Sequence, residues 1–189
     1  MRRRAALHVC CAPDATVPWP ALREEGYDVA GFFYGSNIHP MREWLARAEA
    51  ARKLAGALSV ECEAGPYEPD AWFDLTRGYE SAPEGGGRCA RCFRAQLMAA
   101  AEFAAKRGAG FLCTTLTISP HKNPAVINEI GESCAASLGL VWINRVWRKG
   151  GGYKLSVARS RKMNLYRQNY CGCLYSTRRA EEPAAHASY

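Results

Sequence analysis

The chain has 189 residues, 48% of them hydrophobic, and a formal charge of +7 at pH 7. That length suits one domain with a substantial buried core, and the basic balance favours an anionic partner. No stretch approaches 18 consecutive apolar residues, and the start from Met1 to Val9 lacks the long apolar segment and cleavage site of a signal peptide. No membrane association and a cytoplasmic location are therefore expected.

In chain order, the apolar run Ala5–Cys10 reads as a buried strand, and Trp19–Glu25 as a short helix with Pro20 in its first turn. Tyr27–Tyr34 reads as a second strand. Met41–Ala55 reads as a helix with Trp44, Leu45, Ala48 and Leu54 on or near one face, followed by a strand over Leu58–Glu63. Helices are expected near Pro69–Thr76 and over Cys89–Arg107, a strand over Gly110–Thr115, a helix over Pro124–Leu138 and a strand over Leu140–Arg145. This alternation predicts an α/β fold, a parallel sheet with helices on both faces. Residues 1–180 are expected to form one metal-binding catalytic domain, with residues 181–189 a short Ala-rich tail that frays.

The cysteines carry the strongest signal. Six of the nine fall in close pairs, Cys10-Cys11, Cys89-x-x-Cys92 and Cys171-Gly-Cys173, and Asp14 follows the first pair. In a reducing compartment, clustered cysteines more often bind metal or act in redox chemistry than form disulfides, so a disulfide-free protein is expected. A 4Fe-4S cluster takes four thiolates, which would leave two thiolates and a carboxylate for a second metal ion. Spacing does not say which cysteine joins which centre. Asp14 also suits a helix N-cap, and Cys89-x-x-Cys92 alone also suits zinc or a thioredoxin-like dithiol. Cys62, Cys113 and Cys134 stand singly in apolar surroundings and read as small core residues. His8, inside the first strand, reads as a buried, hydrogen-bonded histidine.

Ligands of open α/β sheets bind beyond the C-terminal strand ends. Cys10, Cys11 and Asp14 follow such an end. The loops holding Asn37 and His39, and Ser119, His121, Lys122 and Asn123, follow two others and are candidates to touch substrate, together with Arg167 and Tyr170. No Asp or Glu occurs from Ser133 to Ala180, while Arg145, Arg148, Lys149, Lys154, Arg159, Arg161, Lys162, Arg167, Arg178 and Arg179 fall there among six aromatic residues. Such a surface attracts polyanions and offers rings for unpaired bases.

Several motifs carry a resemblance. Leu7-His-Val-Cys-Cys-Ala-Pro13, Asn37-Ile-His-Pro40, Glu84-Gly-Gly-Gly-Arg-Cys-Ala-Arg-Cys-Phe93, Thr114-Thr-Leu-Thr-Ile-Ser-Pro-His-Lys-Asn123 and Leu165-Tyr-Arg-Gln-Asn-Tyr-Cys-Gly-Cys-Leu-Tyr-Ser176 together resemble the QueH family of epoxyqueuosine reductases, over about residues 6–178. The resemblance implies a cobalamin-independent enzyme that reduces the epoxide of epoxyqueuosine in tRNA to queuosine, through a 4Fe-4S cluster and an adjacent iron. It also implies a core similar to the nucleotide α-hydrolase, or PP-loop, fold. The Ser-Gly-Gly-x-Asp-Ser loop of ATP-using relatives is absent, so no ATP is expected. Asp14 stands where the family signature can carry cysteine, and His121 where tyrosine is common.

On this reading Cys10, Cys11, Cys89, Cys92, Cys171, Cys173 and Asp14 bind metal, and Cys11 beside Asp14 is the candidate catalytic pair on the single iron. Arg145, Arg148, Lys149, Lys154, Arg159, Arg161 and Lys162 would meet the tRNA phosphates. Removing an epoxide oxygen needs two electrons and two protons, and no GxGxxG nucleotide loop is visible, so an external donor is needed: a ferredoxin- or flavodoxin-like protein, or a chemical reductant. The rival readings are a colourless zinc protein that grips nucleic acid, and a cluster-dependent tRNA thiolation enzyme.

Overall fold

The structure is a computed structural model that describes residues 3–176. Arg178, Arg179 and the tail over residues 181–189 lie outside the described residues. The elements follow in the order β1 (Arg3–Val9), α1 (Ala12–Ala15), α2 (Pro18–Glu24), β2 (Tyr27–Phe33), α3 (Met41–Leu58), β3 (Cys62–Ala64), α4 (Pro69–Thr76), α5 (Gly87–Lys106), β4 (Phe111–Thr114), α6 (Pro124–Ser137), β5 (Val141–Trp142) and α7 (Gly152–Lys162).

The strands form a parallel sheet in the order β3-β2-β1-β4-β5. Side chains alternate across a strand, and β1 feeds both faces. Ala5, Leu7 and Val9 pack with Trp19 and Leu22 of α2 and Leu54 of α3. Ala6 packs on the opposite face with Ala100 and Ala104 of α5 and Ala135 of α6. Both faces of β1 are thus covered, which is why it reads as an unbroken apolar run. Gly31 in β2 makes room for Trp19, whose ring would lie 2.2 Å from a Cβ there. The chain order reverses across β1 and β4, with β2 and β3 to one side and β5 to the other, which opens a crevice at their C-terminal ends.

The α/β expectation holds, and the departures are local. Helix α3 runs on to Leu58 and β3 begins only at Cys62. Ser59, in the left-handed region at φ 52°, ends the helix by donating its N–H to the carbonyls of Ala55 and Gly56. Leu58 and Val60, apolar enough to read as strand, pack onto the core from the turn instead. Leu45 is 54% exposed and does not share the buried face of Ala48 and Leu54. Helix α7 was not expected because its buried positions are Ser156 and Ser160, which leaves no apolar period to read. Its contacts are polar: Ser156 Oγ donates to Pro13 O at 2.7 Å, and an Arg159 guanidinium N–H to Thr16 O at 2.9 Å. These bonds fix the basic helix against α1. Among the described residues, no helix is long and apolar enough to cross a membrane.

Candidate metal centre

The first ligand group forms where β1 stops. Cys10 and Cys11 occupy the turn between Val9 and α1, and Asp14 lies one turn into that short helix. The two sulfurs and a carboxylate oxygen all lie within 4.8 Å of one another. Adjacent cysteines that diverge on a strand converge here because the chain turns between them: Cys11 has extended backbone and directly precedes α1. The N-cap position belongs to Cys11, not to Asp14, so the capping role considered for Asp14 does not hold. Its carboxylate instead lies 3.4 Å from Cys10 Sγ and accepts from that thiol. Thr115, at the end of β4, fixes Cys10 from the other side. Its Oγ1 accepts from the Cys10 N–H at 3.0 Å and donates to Cys10 Sγ at 3.2 Å.

The second group lies across the crevice. Cys89 and Cys92 share one face of the first turns of α5. The Gly85 N–H donates to Cys89 Sγ at 3.2 Å, and Gln96 Nε2 to Cys92 Sγ at 3.1 Å. Burial pushes the Cys92 thiol up to about 12, with Cys171 and Cys173 near enough to add to the rise. Cys89 is raised for the same reasons. Cys10 is raised too, by its bond with the Cys11 thiol and then by burial. Without metal these sulfurs are neutral thiols at pH 7.

Cys171 and Cys173 come from an irregular segment held in place by α3. Arg47, only 2% exposed, pairs with Glu43 at 2.7 Å and donates to the carbonyls of Cys171 at 2.9 Å and Tyr170 at 3.2 Å. Tyr166 donates to the other Glu43 oxygen at 2.6 Å. The His39 N–H donates to Gly172 O at 2.8 Å, and the Tyr170 hydroxyl donates to His39 O. Gly172, at φ 121°, has a backbone conformation that strains any L side chain, and a Cβ there would press on the Arg47 guanidinium at 3.0 Å.

One cavity of about 490 Å³ joins these parts. Cys10, Asp14, Cys89, Cys92, Cys171 and Cys173 line it, and Cys11 lies just behind its wall at 1% exposure. Of the substrate candidates, Asn37, Ser119, His121, Lys122, Asn123, Arg167 and Tyr170 also line it. His39 does not: its ring packs against Trp72 and Phe73 and is 7% exposed. Burial works against the Lys122 ammonium, while Cys171, Cys10, Asp14 and Cys11 around it raise its pKa above the ordinary lysine value when they are ionised, as thiolates would be on a metal. Lys149, Lys154, Arg161 and Lys162 are exposed. Arg145 pairs with Glu25 at 3.1 Å. Arg148 and Arg159 turn inward, Arg148 donating to the carbonyls of Ser119 and Lys122 and so fixing that loop. Gln96, Thr115 and Arg47 were not singled out from sequence. A glutamine one helical turn beyond Cys92 and a threonine at a central strand end were readable signals, whereas Glu43-x-x-x-Arg47 looks like any solvent-facing helix pair.

The sequence profile of the family described as "Epoxyqueuosine reductase QueH" matches residues 6–179. The chain belongs to the QueH family. A QueH relative from Thermotoga maritima is 36% identical over 96% of this chain and 94% of its own length. Another, from Acinetobacter baylyi, is 36% identical over 91% of this chain and 79% of its own. QueH proteins are thus named as reductases, a class of oxidoreductase. Two solved structures share the fold at 13% identity. One is the tRNA thiolase NcsA of Methanococcus maripaludis with its 4Fe-4S cluster, with a TM-score of 0.60 over 93% of this chain and 61% of that one. The other, from Methanocaldococcus jannaschii, bears the description "predicted subunit of tRNA methyltransferase", with a TM-score of 0.56 over 83% of this chain and 74% of that one. Both bear out the PP-loop-like architecture expected of the chain.

Proposed function

We propose that this QueH protein reduces the epoxide of epoxyqueuosine in the anticodon loop of tRNA, leaving queuosine. The observation that carries the reading is that the three cysteine pairs of the family motifs, together with Asp14, meet in or directly behind the wall of one cavity beyond β1 and β4. The reaction consumes two electrons and two protons, breaks both carbon–oxygen bonds of the epoxide, forms the alkene and releases water.

The donor set fits a 4Fe-4S cluster and one further iron. Cys171 and Cys173 lie near enough to Cys89 and Cys92 across the crevice to raise both their pKa values, and four thiolates are what such a cluster takes. Cys10, Cys11 and Asp14 form a separate group of two sulfurs and an oxygen, which would hold the single iron. When bound, these metals would pass on the two electrons of an external donor one at a time and would supply a Lewis acid for the epoxide oxygen.

The chain's own residues do the rest. The Lys122 ammonium lies among Cys10, Cys11, Asp14 and Cys171, where it offsets thiolate charge and holds a proton for the departing oxygen. Asn37, 6% exposed, presents an unpartnered Oδ1 in the cavity wall as an acceptor for a substrate N–H or O–H. Lys149, Lys154, Arg161 and Lys162 give the phosphates a one-sided basic surface. Bases of an anticodon loop are unstacked and can enter a pocket of this size.

The test is anaerobic purification with iron, zinc and sulfide measured on one sample, followed by an assay on epoxyqueuosine tRNA with a one-electron donor. Brown protein carrying iron and sulfide that forms queuosine supports the reading. Colourless zinc protein without sulfide, or a loaded protein that leaves the epoxide untouched, overturns it.

A further inference from the structure

Gln96 is 4% exposed and lies one turn beyond Cys92 on the face of α5 that also carries Phe93, Leu97 and Ala100. Helical side chains lean toward the N-terminus, so residue i+4 covers residue i. The Gln96 amide accordingly reaches back, and its Nε2 donates to Cys92 Sγ at 3.1 Å. An apolar residue would fill this position against Phe93 and Leu97 without the cost of burying an amide. The amide is spent on the sulfur. Cys89 receives an N–H as well, from the Gly85 backbone, so both cysteines of α5 accept a hydrogen bond and only that of Cys92 comes from a side chain.

We infer that Gln96 sets the reduction potential of the metal centre by hydrogen bonding to the Cys92 sulfur, and so decides how easily an external one-electron donor can load it. The inference rests on the reading that Cys92 ligates an iron-sulfur cluster. Reduction adds one electron and no atoms. The added negative charge is shared with the ligand sulfurs, and an N–H aimed at one of them stabilises the reduced form more than the oxidised form. The bond therefore raises the potential. Gln96 is a tuning residue: it touches the ligand, not the substrate.

The experiment is an anaerobic redox titration of the reconstituted full chain with dithionite, following the EPR signal of the reduced cluster, for wild type and Gln96→Leu. Leucine keeps most of the volume and removes the donor. Expected are unchanged iron and sulfide contents and a reduced-to-oxidised ratio at fixed solution potential about threefold lower or more, which is about 28 mV at 59 mV per tenfold for one electron. An unchanged or higher potential with full metal content overturns the inference and leaves the proposed reaction standing. If Gln96→Leu does not hold its cluster, wild type labelled with side-chain ¹⁵N-glutamine decides. Gln168 is the chain's other glutamine, and wild type and Gln168→Leu should share the same ¹⁵N hyperfine coupling on the reduced cluster. Its absence in both also overturns the inference. Wild type that holds zinc and no sulfide sinks the reading beneath it, and the inference falls with that reading.

Discussion

The two ends of the candidate ligand set are built in opposite ways. Cys10, Cys11 and Asp14 sit on the turn from the central strand into α1, with Thr115 of the neighbouring strand end bonded to Cys10. Cys171 and Cys173 belong to an irregular segment whose backbone is held by side chains of α3, above all Arg47. Regular elements position the first group, with short bonds from Thr115 and from α7 supporting them, whereas the second depends on a buried ion pair that lies outside every cysteine motif. The same kind of ligand can therefore fail locally at one end and collectively at the other.

Asp14→Ala breaks the comparison most sharply. Turnover should be abolished, with loss of the iron that the sulfide content does not account for and little loss of sulfide or fold, as measured by metal analysis, assay and thermal unfolding. Full activity would return Asp14 to a structural role. Next comes Arg47→Met, which leaves the buried Glu43 carboxylate without its cation and with only the Tyr166 hydroxyl, at a cost of up to about 3–5 kcal/mol. Denaturant unfolding should show that loss, and sulfide and iron should fall together because the loop carrying Cys171 and Cys173 loses its anchor. Normal sulfide content in this variant would show that metal alone docks the loop.

The sheet beneath the first group has its own weakness. His8 is fully buried, its Nδ1 lies 2.9 Å from Thr114 Oγ1, and burial lowers its pKa from 6.5 to about 3. The unfolded chain takes up the proton first, so His8 contributes its stability above pH 6.5 and loses it as the pH falls from there toward 3. The loss is about 1.4 kcal/mol per pH unit, visible in denaturant midpoints between pH 7 and 5 and absent in a stable His8→Gln variant. Metal loading runs the same way: ligation needs thiolates, the free Cys92 thiol titrates only near 12, and binding releases protons. Iron affinity should rise with pH, as a competition titration with a chelator would record. The smallest effect is expected outside both groups. Arg161→Glu should weaken tRNA binding several-fold and flatten the slope of log affinity against log salt by at least about 0.9, with iron unchanged. An unchanged salt slope would remove that part of α7 from the interface.

The sequence shows the regular end far better than the irregular one. β1 is legible because both its faces are apolar, and the strand-end rule then puts Cys10 and Asp14 at the crevice. Helix α7 is not, because serines and an arginine replace apolar residues at its contacts with α1. Arg148 and Arg159 read as phosphate contacts because charge shows in a sequence and direction does not, yet both donate to backbone carbonyls. His39 reads as a rim residue because the chain gives no sign that Trp72 and Phe73 of α4 fold over it. Spacing announces all six paired cysteines. That Cys10 and Cys11 gather with Asp14, and that Cys89 and Cys92 face Cys171 and Cys173, appears only when β1, α5 and the last loop are brought together.

The separation of Cys10 from Cys173 along the chain also orders events in time. Synthesis runs from the N-terminus and a domain folds as a unit, so Cys10 and Cys11, on a central strand that needs β4 beside it, are made long before Cys171 and Cys173 can join them. On the proposed iron-sulfur reading, metal delivery is therefore a post-translational event, and the active fraction of the protein should follow the cell's supply of iron and sulfide rather than its rate of translation.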